Sequence, residues 1–143
     1  MSLSILLVDD SIINLKVASL MLKKLGHHAD IAANGIEAIR ALEHQSYDIV
    51  LMDIQMPEMD GLNATRIIRQ RWSIYPKIII ITSLIDYREI CLAAGADDFL
   101  TKPIRIEELR ETIKCHMQSS SFNEFASSEL SNGLKEITVT CDL

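Results

Sequence analysis

Ile49-Val50-Leu51-Met52-Asp53 runs apolar into a single carboxylate, and Ile54-Gln55-Met56-Pro57-Glu58-Met59-Asp60-Gly61 follows it. An apolar run this short and this pure fits a strand buried on both faces, as in the middle of a parallel sheet. Pro57 forbids continuation of that strand, and Asp60-Gly61 supplies a turn and a helix start. Asp53 therefore stands at the carboxyl end of a central strand, where ligands bind in open α/β sheets. A lone acid in that position costs stability unless it has a partner.

Working outward, the same strand-then-helix period recurs five times. Ile5-Leu6-Leu7-Val8 reads as a buried strand ending on Asp9-Asp10. Between Ile12 and Leu25 the apolar residues Ile13, Val17, Met21 and Leu25 fall at helical spacing, with Asp10 or Ser11 as cap and Gly26 as stop. His28 to Ala32 reads as an edge strand, and Asn34-Gly35 opens a second helix with Ala38 and Leu42 inward. A third helix follows from about Leu62 to Trp72. Lys77-Ile78-Ile79-Ile80-Ile81 is the most strand-like run and ends on Thr82-Ser83. A short helix from about Asp86 to Ala94 stops at Gly95, and Asp97 to Leu100 is a last strand ending at Thr101-Lys102-Pro103. The final helix, near Ile106 to Met117, turns Leu109 and Ile113 inward. This order demands a parallel sheet with helices on both faces and right-handed crossovers.

The sequence thus divides into a globular domain over 1–117 and a polar linker or tail over 118–143, marked by Ser119-Ser120-Ser121 and Ser127-Ser128. Lys135 to Thr140 alternates as a possible extra strand, near 135–141, without a sheet of its own. No apolar run approaches the ~20 residues that span a bilayer. Asp9-Asp10 interrupts any signal-peptide core, so the cytoplasm is the default compartment. Net charge is −6, which argues against direct nucleic-acid binding. Cys91, Cys115 and Cys141 are odd in number and far apart, which suits reduced thiols. His27, His28, His44 and His116 show no ligand spacing.

Four of the five strands end on a residue able to handle a phosphoryl group or a divalent cation: Asp9 and Asp10, Asp53, Thr82, and Lys102. Singly, each has a plain structural use as a cap, a turn former or a surface lysine. Parallel strands bring all those ends to one mouth, and that joint placement favours chemistry. Two carboxylates ~4 Å apart at an effective dielectric near 20 repel by about 4 kcal/mol. A hard divalent cation relieves this, and magnesium prefers one or two carboxylates plus water and phosphate. Aspartate is a known nucleophile that forms an aspartyl phosphate. Lysine and a threonine hydroxyl can stabilise the phosphoryl oxygens, and phosphoryl transfer needs mainly positioning and charge.

Val8-Asp9-Asp10, Leu51 to Gly61, Ile81-Thr82-Ser83 and Phe99-Leu100-Thr101-Lys102-Pro103 resemble, in the right order, the motifs of two-component response regulator receiver domains. The resemblance covers about residues 4 to 117. It implies a flavodoxin-like (βα)5 three-layer sandwich with strand order 2-1-3-4-5. It implies Asp53 as phosphoacceptor, and magnesium, with manganese as a substitute, on Asp9, Asp10, Asp53 and the backbone carbonyl of Gln55. Thr82 and Lys102 would engage the phosphoryl group, and Phe99 would turn inward as Thr82 moves. The Lys102-Pro103 bond would be cis, and Gln55 and Leu84 would tune dephosphorylation. The donor would be a histidine kinase or a histidine phosphotransfer domain, and Ile12, Ile13 and Ile104 are apolar residues near the mouth that either pack or meet it. The phrasing around Gln55–Gly61 and Cys91–Phe99, with Asn14, is similar to receivers of hybrid sensor kinases. Stand-alone receiver and piece of a longer sensor protein both remain open, as does oligomeric state.

Three departures from the family pattern stand out. Phe99 occupies a position that is often tyrosine, Ser83 replaces a commoner alanine, and the stretch from Thr82 to Gly95 is slightly shorter than usual. An aspartate-nucleophile phosphatase of the haloacid dehalogenase type is the alternative, but its second acid, two residues on, is here Gln55. A receiver-like binding module without phosphorylation is another. A nucleotide or flavin binder would need a phosphate loop where Asp9-Asp10 places acids.

Overall fold

Three neighbouring strands, β1 (Ser4–Val8), β3 (Ile49–Asp53) and β4 (Lys77–Thr82), form the middle of a parallel sheet and bury almost every side chain. The computed structural model describes residues 2–54, 60–83 and 85–126. Gln55, Leu84, Cys141 and the alternating segment near 135–141 lie outside the described residues. The edges are β2 (His28–Ala32) and β5 (Asp98–Thr101), giving the order β2-β1-β3-β4-β5 with every neighbouring pair parallel. The flavodoxin-like arrangement implied by the motifs is therefore the observed one.

Between the strands run α1 (Ile12–Lys24), α2 (Gly35–His44), α3 (Gly61–Arg71) and α4 (Arg88–Ala94), the last preceded by a 3₁₀ turn at Ile85–Tyr87. Each of the first three has a side-chain cap of the expected kind: Ser11 accepts from the Asn14 amide, Asn34 from Glu37, and Asp60 from Asn63. The strand period of two sorts the core into two faces. Leu6, Val8, Val50, Met52, Ile78 and Ile80 pack with Ala38 and Leu42 of α2, Ala64 and Ile68 of α3, and Cys91 of α4. On the other face Leu7, Leu51 and Ile81 line a cavity together with Leu15 and Ala18 of α1.

Two local expectations change. The buried stripe of α1 is Leu15, Ala18 and Leu22, whereas Ile13 and Val17 are 74% and 48% exposed. Apolar residues circle much of this helix, so spacing alone could not say which stripe faces the sheet. Helix α5 (Ile106–Ala126) continues past Met117 through the serine run, since an already nucleated helix propagates at little cost through residues of middling propensity. Residues 1–104 form one compact unit, and α5 belongs to a second beginning at Arg105, with Leu109 and Ile113 buried. Cys91 is a free, buried thiol.

Candidate functional site

The carboxyl ends of β1 and β3 bring Asp9, Asp10 and Asp53 together, with one carboxylate oxygen from each lying within 4.8 Å of the others. Their exposures are graded: Asp53 is 4% exposed, Asp9 half-buried and Asp10 open to solvent. Both oxygens of Asp9 are committed locally, Oδ1 accepting from the Ser11 amide at 2.9 Å and Oδ2 from Asn14 Nδ2 at 3.3 Å. Those bonds aim the carboxylate and hold it against the repulsion of its neighbours.

Lys102 reaches in from the end of β5, its Nζ donating to Asp53 Oδ1 at 3.1 Å. The pair is 31% and 6% exposed at the side chain, so the acid is the far more buried partner. The Lys102 amide donates to the Thr82 carbonyl at 2.8 Å, which ties the ends of β4 and β5 together at the mouth. Thr82 itself is buried and follows Ile81, the residue in register with Asp53. Phe99 is half-buried on β5, opposite Ile80. The Lys102–Pro103 peptide is cis, as is Tyr75–Pro76.

Two positioning features were not read from the sequence. Asn14 stood only as a stylistic resemblance, yet it donates to Asp9. Gly61 was read as a turn residue, yet it is there for space. Its amide donates to the Ile54 carbonyl at 2.9 Å, and a Cβ built on it would sit 2.1 Å from the Asp53 carbonyl oxygen. The first turn of α3 thus presses directly on the backbone that carries Asp53. The Asp60-Gly61 pair was the available signal, but a close approach leaves the same trace as an ordinary turn.

The scattered histidines have structural partners. His27 Nδ1 accepts from the Leu3 amide, His28 pairs with Asp30, and the His44 ring lies 2.8 Å from the Arg40 carbonyl. Chemically, the mouth offers three oxygen donors of the hard type that divalent cations prefer, and one ammonium already within reach of the buried acid.

A family model described as the response regulator receiver domain matches residues 5–114. The chain belongs to that family. Receivers are phosphoacceptor modules of two-component phosphorelays, and this one shares their fold and order of motifs. It is 40% identical over 142 residues to Histidine kinase 5 of Arabidopsis thaliana, covering 79% of this chain and 15% of that protein. Hybrid signal transduction histidine kinase B of Dictyostelium discoideum is 38% identical over 128 residues, covering 79% of this chain and 6% of its own length. The chain therefore spans only a small part of these relatives. Among solved structures, the receiver domain of the sensor histidine kinase PA1611 from Pseudomonas aeruginosa PAO1 superposes with a TM-score of 0.73 at 40% identity, covering 80% of this chain and 96% of that one. That structure has a magnesium ion coordinated in its active-site cleft. No helix among the described residues of this receiver is long and apolar enough to cross a membrane.

Proposed function

We propose that Asp53 accepts a phosphoryl group from a phosphohistidine of a histidine kinase or histidine phosphotransfer domain. In that step an Asp53 carboxylate oxygen forms a bond to phosphorus, the N–P bond breaks, and its electron pair returns to the imidazole. The observation that carries the reading is the convergence of three carboxylates within 4.8 Å with Lys102 Nζ 3.1 Å from the most buried of them. Such a grouping of like charges is unfavourable without a cationic ligand to share it.

Asp9, Asp10, Asp53 and the Gln55 carbonyl would hold magnesium or manganese, which when bound neutralises charge on the phosphoryl oxygens. Lys102 shifts from the carboxylate to the phosphoryl oxygens as that charge arrives. Thr82 donates its hydroxyl to one of them, and Phe99 follows the movement. By the family resemblance, Gln55 and Leu84 would tune the lifetime of the acyl phosphate.

The domain assists its own phosphorylation and dephosphorylation and does not turn over external phosphate esters, for want of a second acid where Gln55 stands. A donor surface lies alongside the mouth. Ile12 and Ile13 are 71% and 74% exposed, next to a cavity of about 360 Å³ that Asp9, Lys102, Pro103 and Ile104 help to line. Apolar residues beside an acidic mouth suit the helices of a phosphodonor bundle, which bring apolar contacts and a reactive histidine together.

The test is incubation with acetyl phosphate and magnesium followed by intact mass measurement. One phosphoryl group should add to the wild-type chain and none to Asp53→Asn. Unaltered mass in the wild type would overturn the assignment. Steady release of phosphate from unrelated monoesters would favour the phosphatase alternative.

A further inference from the structure

The cavity of about 360 Å³ beside the acidic mouth lies between α1 and the sheet, and every residue lining it belongs to the unit of residues 1–104. Leu7, Leu51 and Ile81 of the sheet and Leu15 and Ala18 of the helix make its walls apolar. Its polar lining is confined to Asp9, Asn14 and Lys102. All three stand at the carboxyl edge of the sheet, so the apolar space meets the acid cluster at one end. A cavity of this size, apolar apart from a few convergent polar groups, is the usual form of a small-molecule site. No step proposed for Asp53 uses these walls.

Charge at the polar end decides what head group such a molecule carries. Asp9, Asp10 and Asp53 bring carboxylate oxygens within 4.8 Å of one another, against the ammonium of Lys102, itself 3.1 Å from Asp53. An anionic head would face three carboxylates and an ammonium already engaged. A cationic head meets net negative charge, and Asp9 is the acid that lines the cavity. We propose that this cavity is a binding site for a small aryl-alkylamine, its ring between α1 and the sheet and its ammonium on Asp9. Each Asp9 oxygen accepts one hydrogen bond, from the Ser11 amide and from Asn14, and a carboxylate oxygen has room for a second. Asp9 also belongs to the acids that would hold magnesium, so amine and metal oppose each other by charge. Each then lowers the other's affinity by the same factor. That competition, unlike the binding itself, rests on the metal site of the phosphoacceptor reading above.

The experiment titrates tryptamine, 3-methylindole and indole-3-propionate, which share a ring and differ in head, into the full chain without magnesium, by calorimetry. Tryptamine should bind about two- to five-fold more tightly than 3-methylindole, the range of a partly exposed ion pair, and indole-3-propionate most weakly. Ala18→Phe puts a ring into the cavity, and Ile104→Trp fills it from a half-buried position should the first variant not fold. Either should weaken tryptamine by about ten-fold or more, because a close-packed filler leaves no room for the indole. Saturating magnesium should weaken tryptamine by about two- to five-fold and leave 3-methylindole unmoved. No binding of tryptamine, equal binding of all three, or binding indifferent to a folded filler variant would overturn the proposal and leave the phosphoacceptor reading intact. Magnesium that binds without weakening the amine would do the same. A chain that binds the three in the expected order but takes up no magnesium would uphold the site and overturn the metal reading instead.

Discussion

Replacing Gly61 with alanine tests whether α3 truly presses on the backbone of Asp53. The added Cβ would lie 2.1 Å from the Asp53 carbonyl oxygen and 3.0 Å from both the Asp53 carbonyl carbon and Ile54 Cα. All three are main-chain atoms, so no side chain can swing away. Overpacking of this kind costs about 1–3 kcal/mol. Separating the Gly61 amide from the Ile54 carbonyl adds about 1 kcal/mol. The sum is about 2–4 kcal/mol, a large share of the roughly 5–15 kcal/mol that holds a domain together. At about 3–4 °C per kcal/mol for a chain of this size, the melting temperature should fall by about 6–16 °C. Thermal melts followed by circular dichroism, in chelator and in magnesium, measure this. The magnesium-dependent rise should shrink as well, because whatever moves the Asp53 carbonyl moves its carboxylate. Gly26→Ala is the control, since a Cβ there meets nothing within 4 Å and costs only the left-handed backbone at φ +89°, about 1–2 kcal/mol. A Gly61→Ala chain melting within ~2 °C of wild type, with its magnesium response intact, would refute the reasoning.

Asp10→Asn should stabilise the metal-free domain. The carboxylate oxygens lie within 4.8 Å of one another, and a pair at that limit repels by about 0.9 kcal/mol in water and about 3.5 kcal/mol at a dielectric near 20. For the exposed Asp10 we expect a gain of about 1–3 kcal/mol in urea unfolding with chelator, accompanied by loss of the stabilisation that magnesium confers on wild type. Lys102→Met removes the cation 3.1 Å from Asp53; calorimetry should show divalent-cation affinity rising several-fold while stability in chelator falls by about 1–3 kcal/mol. His27 has its pKa lowered, chiefly by burial and against the pull of Asp48. The folded chain therefore takes up this proton less readily than the unfolded one, so its contribution is whole above pH ~6.5 and is lost as pH falls through the depressed value. Urea unfolding at pH 7.5 and 5.5 should show a smaller acid loss in His27→Gln than in wild type, and equal losses would remove His27 from the account.

How much of the site was legible depended on how local its signals were. Asp9, Asp10, Asp53 and Thr82 each end a strand whose apolar run is short and unmistakable, and Lys102 follows the weaker strand Asp98–Thr101, so their convergence followed from chain direction. The inward stripe of α1 did not follow, because Ile12, Ile13, Val17 and Leu20 are apolar yet exposed, and a helix apolar on several sides has no single period to read. Nor did the clamp at the opposite end of the sheet, where Arg69 donates to the Gly95 carbonyl, the Trp72 carbonyl and Asp97 Oδ2, which also accepts from the Ile78 amide. Arg69 looks like any surface residue of a helix until β4 and the turn after α4 are brought to it.

The amino-acid order by itself determined the parallel five-stranded sheet and the set of groups at its carboxyl edge. Both arise from patterns carried within a few residues, repeated in a fixed direction. Only the tertiary structure decided that Asn14 aims Asp9, that Gly61 must be bare because the Asp53 carbonyl is beside it, and that Arg88 covers Phe99. Those are distances between residues of different elements. No local pattern encodes them, because they exist only after the packing of the sheet has chosen which distant segments meet.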